Sequence, residues 1–521
     1  MFNDKNLHLF VDDYEIQHYT NLLRVINKPE KHKTPVLIAD KEWECGRVQA
    51  WGSVIQEPDG LIRMWYFAMN NRSKGSEDKG GYCYAESRDG INWEKPDLGL
   101  VKFRGSTKNN IWYSMNPDSN NLSEQELAKN GMGLPAFDEE GNQIGVVNNL
   151  DGLTVVKDDD EPDPEKRYKL LANMQDHRMW TKAYRQYYPD VTEQEIENAT
   201  AIFGQYIDTS PDGIHWTRRP KRFLPARYGD YMMVTKDHRN KQWWLNERPL
   251  ALKGRNVGLR VSKDLISWND PADILFSNTP EMGFGDAYQW HGGITPFNYG
   301  NMNLGMIEKW ANAGIGDYCE LVSGRDGLPW QRVVPGKPFL DTGPENSFDR
   351  VLAYPTHNAP IRIGNKLCIY YTGMGSFDPE FPVLEGKRMQ TGDLYSPRAG
   401  DNGQMAMGVA IIGLDRFAGM AHVSQEAGRL LSKPVTITHS EIEINFEPVL
   451  NPYIKLGLRD TNGDFIPGFT HDDSVIDTYD HNLRTAVKWK NKTLKDIMGS
   501  TVFLDFEIAG SVLYSYRVFN S

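Results

Sequence analysis

The sequence predicts an all-β protein, a five-bladed β-propeller followed by a β-sandwich. Three observations predict it: a recurring turn, a pair of strand-like runs before each copy, and a change of pattern near residue 424. The turn is "SRDGINW" (87–93), repeated as "SPDGIHW" (210–216), "SKDLISW" (262–268) and "SGRDGLPW" (323–330). Asp-Gly accepts the positive φ of a hairpin, and the aspartate can accept hydrogen bonds from turn amides. The tryptophan is a flat body suited to packing between neighbouring sheets. "AIIGLDRFAGM" (410–420) is a degenerate fifth copy, with Phe417 in the tryptophan's place. Recurrence at blade-like spacing is the signature of a radial repeat.

Each blade then follows in order. The innermost strands read "QAWGSVIQE" (49–57), "LDGLTVVKD" (150–158), "GDYMMVTKD" (229–237), "HGGITPF" (291–297) and "NAPIRIG" (358–364). The second strands read "LIRMWYFAMN" (61–70), "RYKLLANMQ" (167–175), "KQWWLNERP" (241–249), "NMNLGMIEKW" (301–310) and "KLCIYYTGM" (366–374). The long interval 94–215 reads as one blade with insertions, including a helix around 180–200 for which Thr192 and Glu195 form a capping box. The propeller is expected over 1–424. From 425 to 521, period-two alternation and a hairpin Asn-Gly read as an antiparallel sandwich whose expected role is support.

Composition narrows the partners. A net charge of −12 disfavours nucleic acid and anionic membrane surfaces, and no apolar run reaches transmembrane length. The start shows no signal peptide, so a cytoplasmic location is expected; a trimmed start would allow a periplasmic or secreted one. Cys45, Cys83, Cys319 and Cys368 lack metal or disulfide spacing and read as buried thiols. No metal and no cofactor is expected. The expected partner is an oligosaccharide or glycoside, and a homo-oligomer is compatible with the chain.

Topology places the chemistry. If the innermost strand starts at the top, the second strand ends at the top and the repeated turns lie at the bottom. Polar residues at first-strand starts and second-strand ends should then ring an axial pocket. That list contains Trp51, Asn70 and Arg72 from blade one; Asp151 and His177 from blade two; and Asp230, Glu247 and Arg248 from blade three. Blade four adds Asp286, Trp290, His291 and Glu308, and blade five adds Asp349 and His357. Aromatic faces stack on sugar C–H surfaces while charged groups bond hydroxyls. Glycoside hydrolysis needs one carboxylic acid for the leaving oxygen and a second carboxylate opposite it. Asp230, Glu247, Asp286 and Glu308 are the catalytic candidates, the others substrate-binding. Each has a plainer role open to it: a turn or loop aspartate for Asp230 and Asp286, an ion pair with Arg248 for Glu247. The three histidines are single residues rather than a metal triplet.

The phrases "LFVDDYEI", "SRDGINWEKPDLGLVKFRGSTKNN" and "GSVLYSYRVF" resemble a group of bacterial sequences labelled glycoside hydrolase family-32-like. The propeller alone is similar to family 43. The resemblance implies acids on the innermost strands of blades one, three and four. It puts Asp230 at the third-blade position and Asp286 or Glu308 at the fourth. The first-blade position holds Trp51-Gly52 where the families have aspartate, and Glu44 in "KEWECGRV" is the nearest substitute. The turn also looks like the sialidase box SxDxGxxW, one residue shorter. The expected function is an exo-acting glycoside hydrolase releasing terminal sugars, such as fructosyl or arabinosyl furanosides. A family-130-like phosphorylase, with Arg72, Arg178, Arg248 and Lys309 for phosphate, and a non-catalytic glycan-binding propeller are the alternatives.

Overall fold

The computed structural model describes residues 4–44, 47–68, 81–114, 134–137, 143–147, 150–174, 192, 204–218, 223–225, 233–247, 257–269, 272–276, 288–311, 316–326, 329–345, 347–375, 404–477 and 483–520. Five antiparallel sheets form the propeller, each begun by its innermost strand. Blade one runs Val48–Gln56, Ile62–Ala68, Gly81–Ser87 and Ile111–Ser114. Blade two runs Leu150–Lys157, Tyr168–Met174, Gly204–Ser210 and Thr217–Arg218, and blade three Met233–Asp237, Gln242–Glu247, Val257–Ser262 and Asp273–Phe276. Blade four runs Tyr288–Tyr299, Met302–Ala311, Tyr318–Gly324 and Gln331–Arg332. In blade five Lys366–Gly375 and Gln404–Gly413 are joined by an outermost strand from the N-terminus, Glu30–Lys31, which closes the ring.

The innermost strand of blade five differs from the expected continuous run 358–364. It is split into Leu352–Pro355 and Ile361–Ile363, both paired with Lys366–Gly375. Pro355 and Pro360 bound the gap, and proline has no N–H to continue a ladder. The helix expected around 180–200 lies outside the described residues, apart from the exposed Thr192.

The repeated turns pin blade to blade, and the side chains show how. Ser87 Oγ accepts from Gly90 N at 2.8 Å, while Asp89 Oδ1 accepts from Ile91 N and Asn92 N, both at 2.8 Å. Ser210 with Asp212 and Ser262 with Asp264 repeat the pattern. These amides stabilise the carboxylate form. In Asp89 and Asp264 they push the pKa down to about 2, and in Asp212 they do so against burial.

Each turn docks on the preceding blade. Tyr370 Oη of blade five donates to Gly90 O, and Trp65 Nε1 of blade one donates to Gly213 O at 2.7 Å. Leu265 of blade three packs in one cluster with Leu171 of blade two, and Trp330 meets Trp244 edge-on at 6.3 Å. The degenerate fifth copy does the same: Tyr299 Oη of blade four donates to Asp415 Oδ1, and Phe417 packs edge-on against Tyr299.

Residues 7–26 do not belong to the propeller sheets. Strands Leu7–Leu9, Ile16–Thr20 and Leu22–Ile26 join the sheet of the C-terminal part, as do Ala418–His422 and Gly428–Ser432. Two 19-residue strands, Glu441–Arg459 and Thr501–Phe519, form its spine. A boundary at 424 therefore falls between two strands of one sheet. Phe10, Ile16 and Leu22 are buried in a core shared with Phe446, Leu456 and Phe506.

The fourth turn copy carries an extra residue, and Arg325 there makes two 3.0 Å bonds to Asp12. Both side chains are buried. Asp12 thus clamps the N-terminal segment onto the turn face of blade four, while Asp13 takes Arg24 of the same segment.

Candidate active site

Side chains on or next to the innermost strands bridge consecutive blades all round the ring. Ser53 Oγ accepts from Val155 N, Thr154 Oγ1 from Val234 N, and Asn246 Oδ1 from Ile294 N. Thr295 Oγ1 donates to Thr356 O, and Asn358 Oδ1 accepts from Val54 N at 2.7 Å. Every junction of the ring therefore carries a bond from a side chain of one blade to the backbone of the next. Short polar residues suit this place because the innermost strands crowd together there and leave their edge N–H groups needing partners.

Above this ring, three innermost strands break register at one level: between Gln49 and Ser53, Leu150 and Leu153, and Trp290 and Ile294. Each irregularity contains a residue followed by glycine: Trp51-Gly52, Asp151-Gly152 and His291-Gly292. At Gly52 a Cβ would stand 1.9 Å from Trp65 O, so only glycine lets the bulge lie against the second strand. Bulges re-aim side chains and recur beside active sites. Trp51, Asp151 and His291 are all in the expected ring, so the bulge is a signal that strand counting missed.

Trp51 is partly exposed and lies almost parallel to Phe67, with 6.2 Å between centroids. Glu308 is fully buried near the upper end of the second strand of blade four, paired in register with Cys319. Its neighbour Lys309 faces Glu320 at 3.5 Å, and Glu320 takes Arg332 by two bonds of 2.6 and 2.8 Å. Burial pushes the Lys309 pKa down. Glu247 ends the second strand of blade three and is held by Arg260, at 2.8 and 2.9 Å. Arg260 is buried, while Arg248, the expected partner, lies outside the described residues.

Two ring candidates are enclosed by protein partners. Asp349 bonds Lys31 at 2.6 Å, Tyr371 at 2.9 Å and Ser347 at 2.8 Å. His357 falls in the gap of the split strand, inside the axis. Its backbone N–H donates to Gly52 O and its ring Nδ1 to Leu153 O, both at 2.9 Å. Burial pushes its pKa down to about 4. Glu44, the first-blade substitute, is wholly buried and bonded to Tyr66, Lys95 and the Lys41 amide. Burial raises its pKa, and its contacts fix the loop before blade one.

The backbones of Asp151, Trp290 and His291 lie in the first strands of blades two and four, while their side chains lie outside the described set. Asn70, Arg72, His177, Asp230, Arg248 and Asp286 lie outside the described residues. Cys83, Cys319 and Cys368 are buried. Among the described residues no group of three or more His, Cys, Asp or Glu side chains could hold a metal ion, and no helix is long and apolar enough to cross a membrane.

Several solved glycosidase structures are similar to the chain at low identity. The catalytic domain of the GH62 α-L-arabinofuranosidase of Coprinopsis cinerea is similar with 12% identity and a TM-score of 0.41, over 74% of this chain and 98% of that one. A GH32 β-fructofuranosidase of Bombyx mori, in complex with sucrose, is similar with 12% identity and a TM-score of 0.37, over 95% and 94%. The β-1,2-mannobiose phosphorylase of Listeria innocua is similar with 12% identity and a TM-score of 0.40, over 76% and 98%. Likeness of this degree carries no argument about the reaction. No protein-family model matches the chain, and no curated protein matches it.

Proposed function

We propose that the chain is an exo-acting glycoside hydrolase that releases terminal sugar units, furanosides such as fructosyl or arabinosyl among them. The observation that supports this most is Glu308, a fully buried acid near the upper end of the second strand of blade four. That end of the blade is opposite the Ser-Asp turns, where the polar ends of the second strands are expected to converge. In this reading Glu308 protonates the leaving oxygen and Asp230 supplies the opposed carboxylate, with Asp286 beside them. Glu247, held by Arg260, supports the site electrostatically. Trp51 offers the face on which a sugar ring stacks, and Asn70, Arg72, Asp151, His177, Arg248, Trp290 and His291 bond its hydroxyls. Asp349 and His357 shape the surrounding wall from within their own bonds.

A panel of para-nitrophenyl glycosides, furanosides included, tests the reading with and without inorganic phosphate. The expected result is phosphate-independent release, falling about 100- to 10,000-fold in Glu308→Gln and Asp230→Asn. Release that requires phosphate would replace hydrolysis by phosphorolysis. No release from any member, or full activity in both variants, refutes the proposal.

A further inference from the structure

Blade four is fixed at both ends, and the upper fixings converge on the backbone beside Glu308. At its lower end, Asn301 N donates to Leu7 O of the N-terminal segment, and Arg325 is held by Asp12. At its upper end the attachment is to blade five. Asp317 N donates to Val351 O at 2.7 Å and Ala353 N to Asp317 O at 3.0 Å, so third and first strands of adjacent blades are joined directly. Cys319, the register partner of Glu308, lies with its Sγ 3.5 Å from Ala353 O. Tyr354, one residue on, is buried and sends its Oη to Lys309 O at 3.2 Å.

The bond from Tyr354 ends on the carbonyl of the residue immediately after Glu308. Glu308 sits on the seam between blades four and five with Cys319, whereas Lys309 turns to the other seam. The Lys309 carbonyl belongs to the peptide one Cα beyond Glu308, so the bond restrains the end of the strand from which the Glu308 side chain leaves. A donor must come within hydrogen-bond reach of its acceptor, and a misplacement of ~1 Å can cost on the order of 100-fold in rate.

We propose that Tyr354 is a positioning residue, a buried phenol on blade five that aims Glu308 of blade four through the Lys309 carbonyl. The proposal rests on the reading of Glu308 as proton donor and goes beyond it by naming what holds that donor in place. Tyr354 does not touch the substrate in this scheme, so its loss should act on turnover and leave ground-state binding alone.

The experiment compares three single variants on the para-nitrophenyl glycoside that the parent cleaves fastest. Tyr354→Phe keeps the ring and removes one O–H. Tyr299→Phe makes the same change in a second buried tyrosine that joins blades four and five, at the turn end, where its Oη bonds Asp415. Glu308→Gln tests the underlying reading. Tyr354→Phe is expected to lower kcat about 5- to 50-fold with KM unchanged, and Tyr299→Phe to leave both constants unchanged, while both variants shift the urea midpoint down by similar amounts.

The inference is overturned if Tyr354→Phe keeps the parent kcat, if it raises only KM, or if Tyr299→Phe loses kcat equally. Loss of turnover in Glu308→Gln with full turnover in Tyr354→Phe removes the inference alone. Full turnover in Glu308→Gln, or a parent that cleaves no member of the panel, removes both.

Discussion

Replacing Gly213 by alanine should destabilise the protein through the seam between blades one and two. Gly213 has φ +76°, and an added Cβ would stand 2.8 Å from Trp65 Cζ2 and 3.3 Å from Arg63 Nη1. The left-handed backbone alone costs alanine about 1–2 kcal/mol. Trp65 has no room to retreat, because it is fully buried and its Nε1 is bonded to Gly213 O. Overpacking a fixed core adds about 1–3 kcal/mol, so the total is about 2–5 kcal/mol. Gly60 supplies the control: its φ is +85°, and no atom lies within 4 Å of the Cβ position. Gly60→Ala should cost only the backbone term. Equilibrium urea unfolding followed by tryptophan fluorescence measures both. Trp65→Phe in the Gly213→Ala background should recover part of the loss, because the two changes share one contact. Equal destabilisation by Gly213→Ala and Gly60→Ala would refute the claim that the turn is seated on the neighbouring blade.

The acid limb of stability should have two windows. His357 titrates at about 4 in the fold against an ordinary 6.5, so its contribution is present above pH 6.5 and is lost as pH falls to about 4, on the order of 3 kcal/mol. Asp89, Asp212 and Asp264 are held at about 2 against 3.8, so theirs is lost between about pH 4 and pH 2. Urea midpoints measured from pH 7 to pH 2.5 check both, and His357→Phe should flatten only the upper window. Ser53→Ala leaves the buried Val155 N–H without its acceptor and should cost about 1–3 kcal/mol in the same unfolding assay.

Much of the fold is legible in the chain because the turn chemistry is local. Ser87, Asp89 and Gly90 interact across four residues, so the motif reads the same wherever it occurs, and counting back from each copy locates the strands. The degenerate copy at Asp415 is readable too, since an aromatic still fills the tryptophan's place. The split of blade five at His357 was less legible: Pro355 and Pro360 mark it, but only the pairing of both segments with one strand shows that they form a single edge. Of the site, the strand ends were readable and the partners were not. Glu247 finds Arg260, 13 residues away, and Asp349 finds Lys31, 318 residues away. No spacing rule connects them.

The sequence by itself determined the repeat, the number of blades and the alternation that builds the C-terminal sheet, because these depend on φ preferences and on periodicity within a few residues. The tertiary structure decided which residues serve the axis, which close the ring and which join the two sheets of strands. Asp12 finds Arg325, 313 residues away, and Glu30–Lys31 had no sign of being the last strand of the fifth blade. Burial and ion pairing depend on what long-range packing delivers to a side chain. A carboxylate's role is therefore written in its neighbours, and the neighbours are chosen by the closure of the ring.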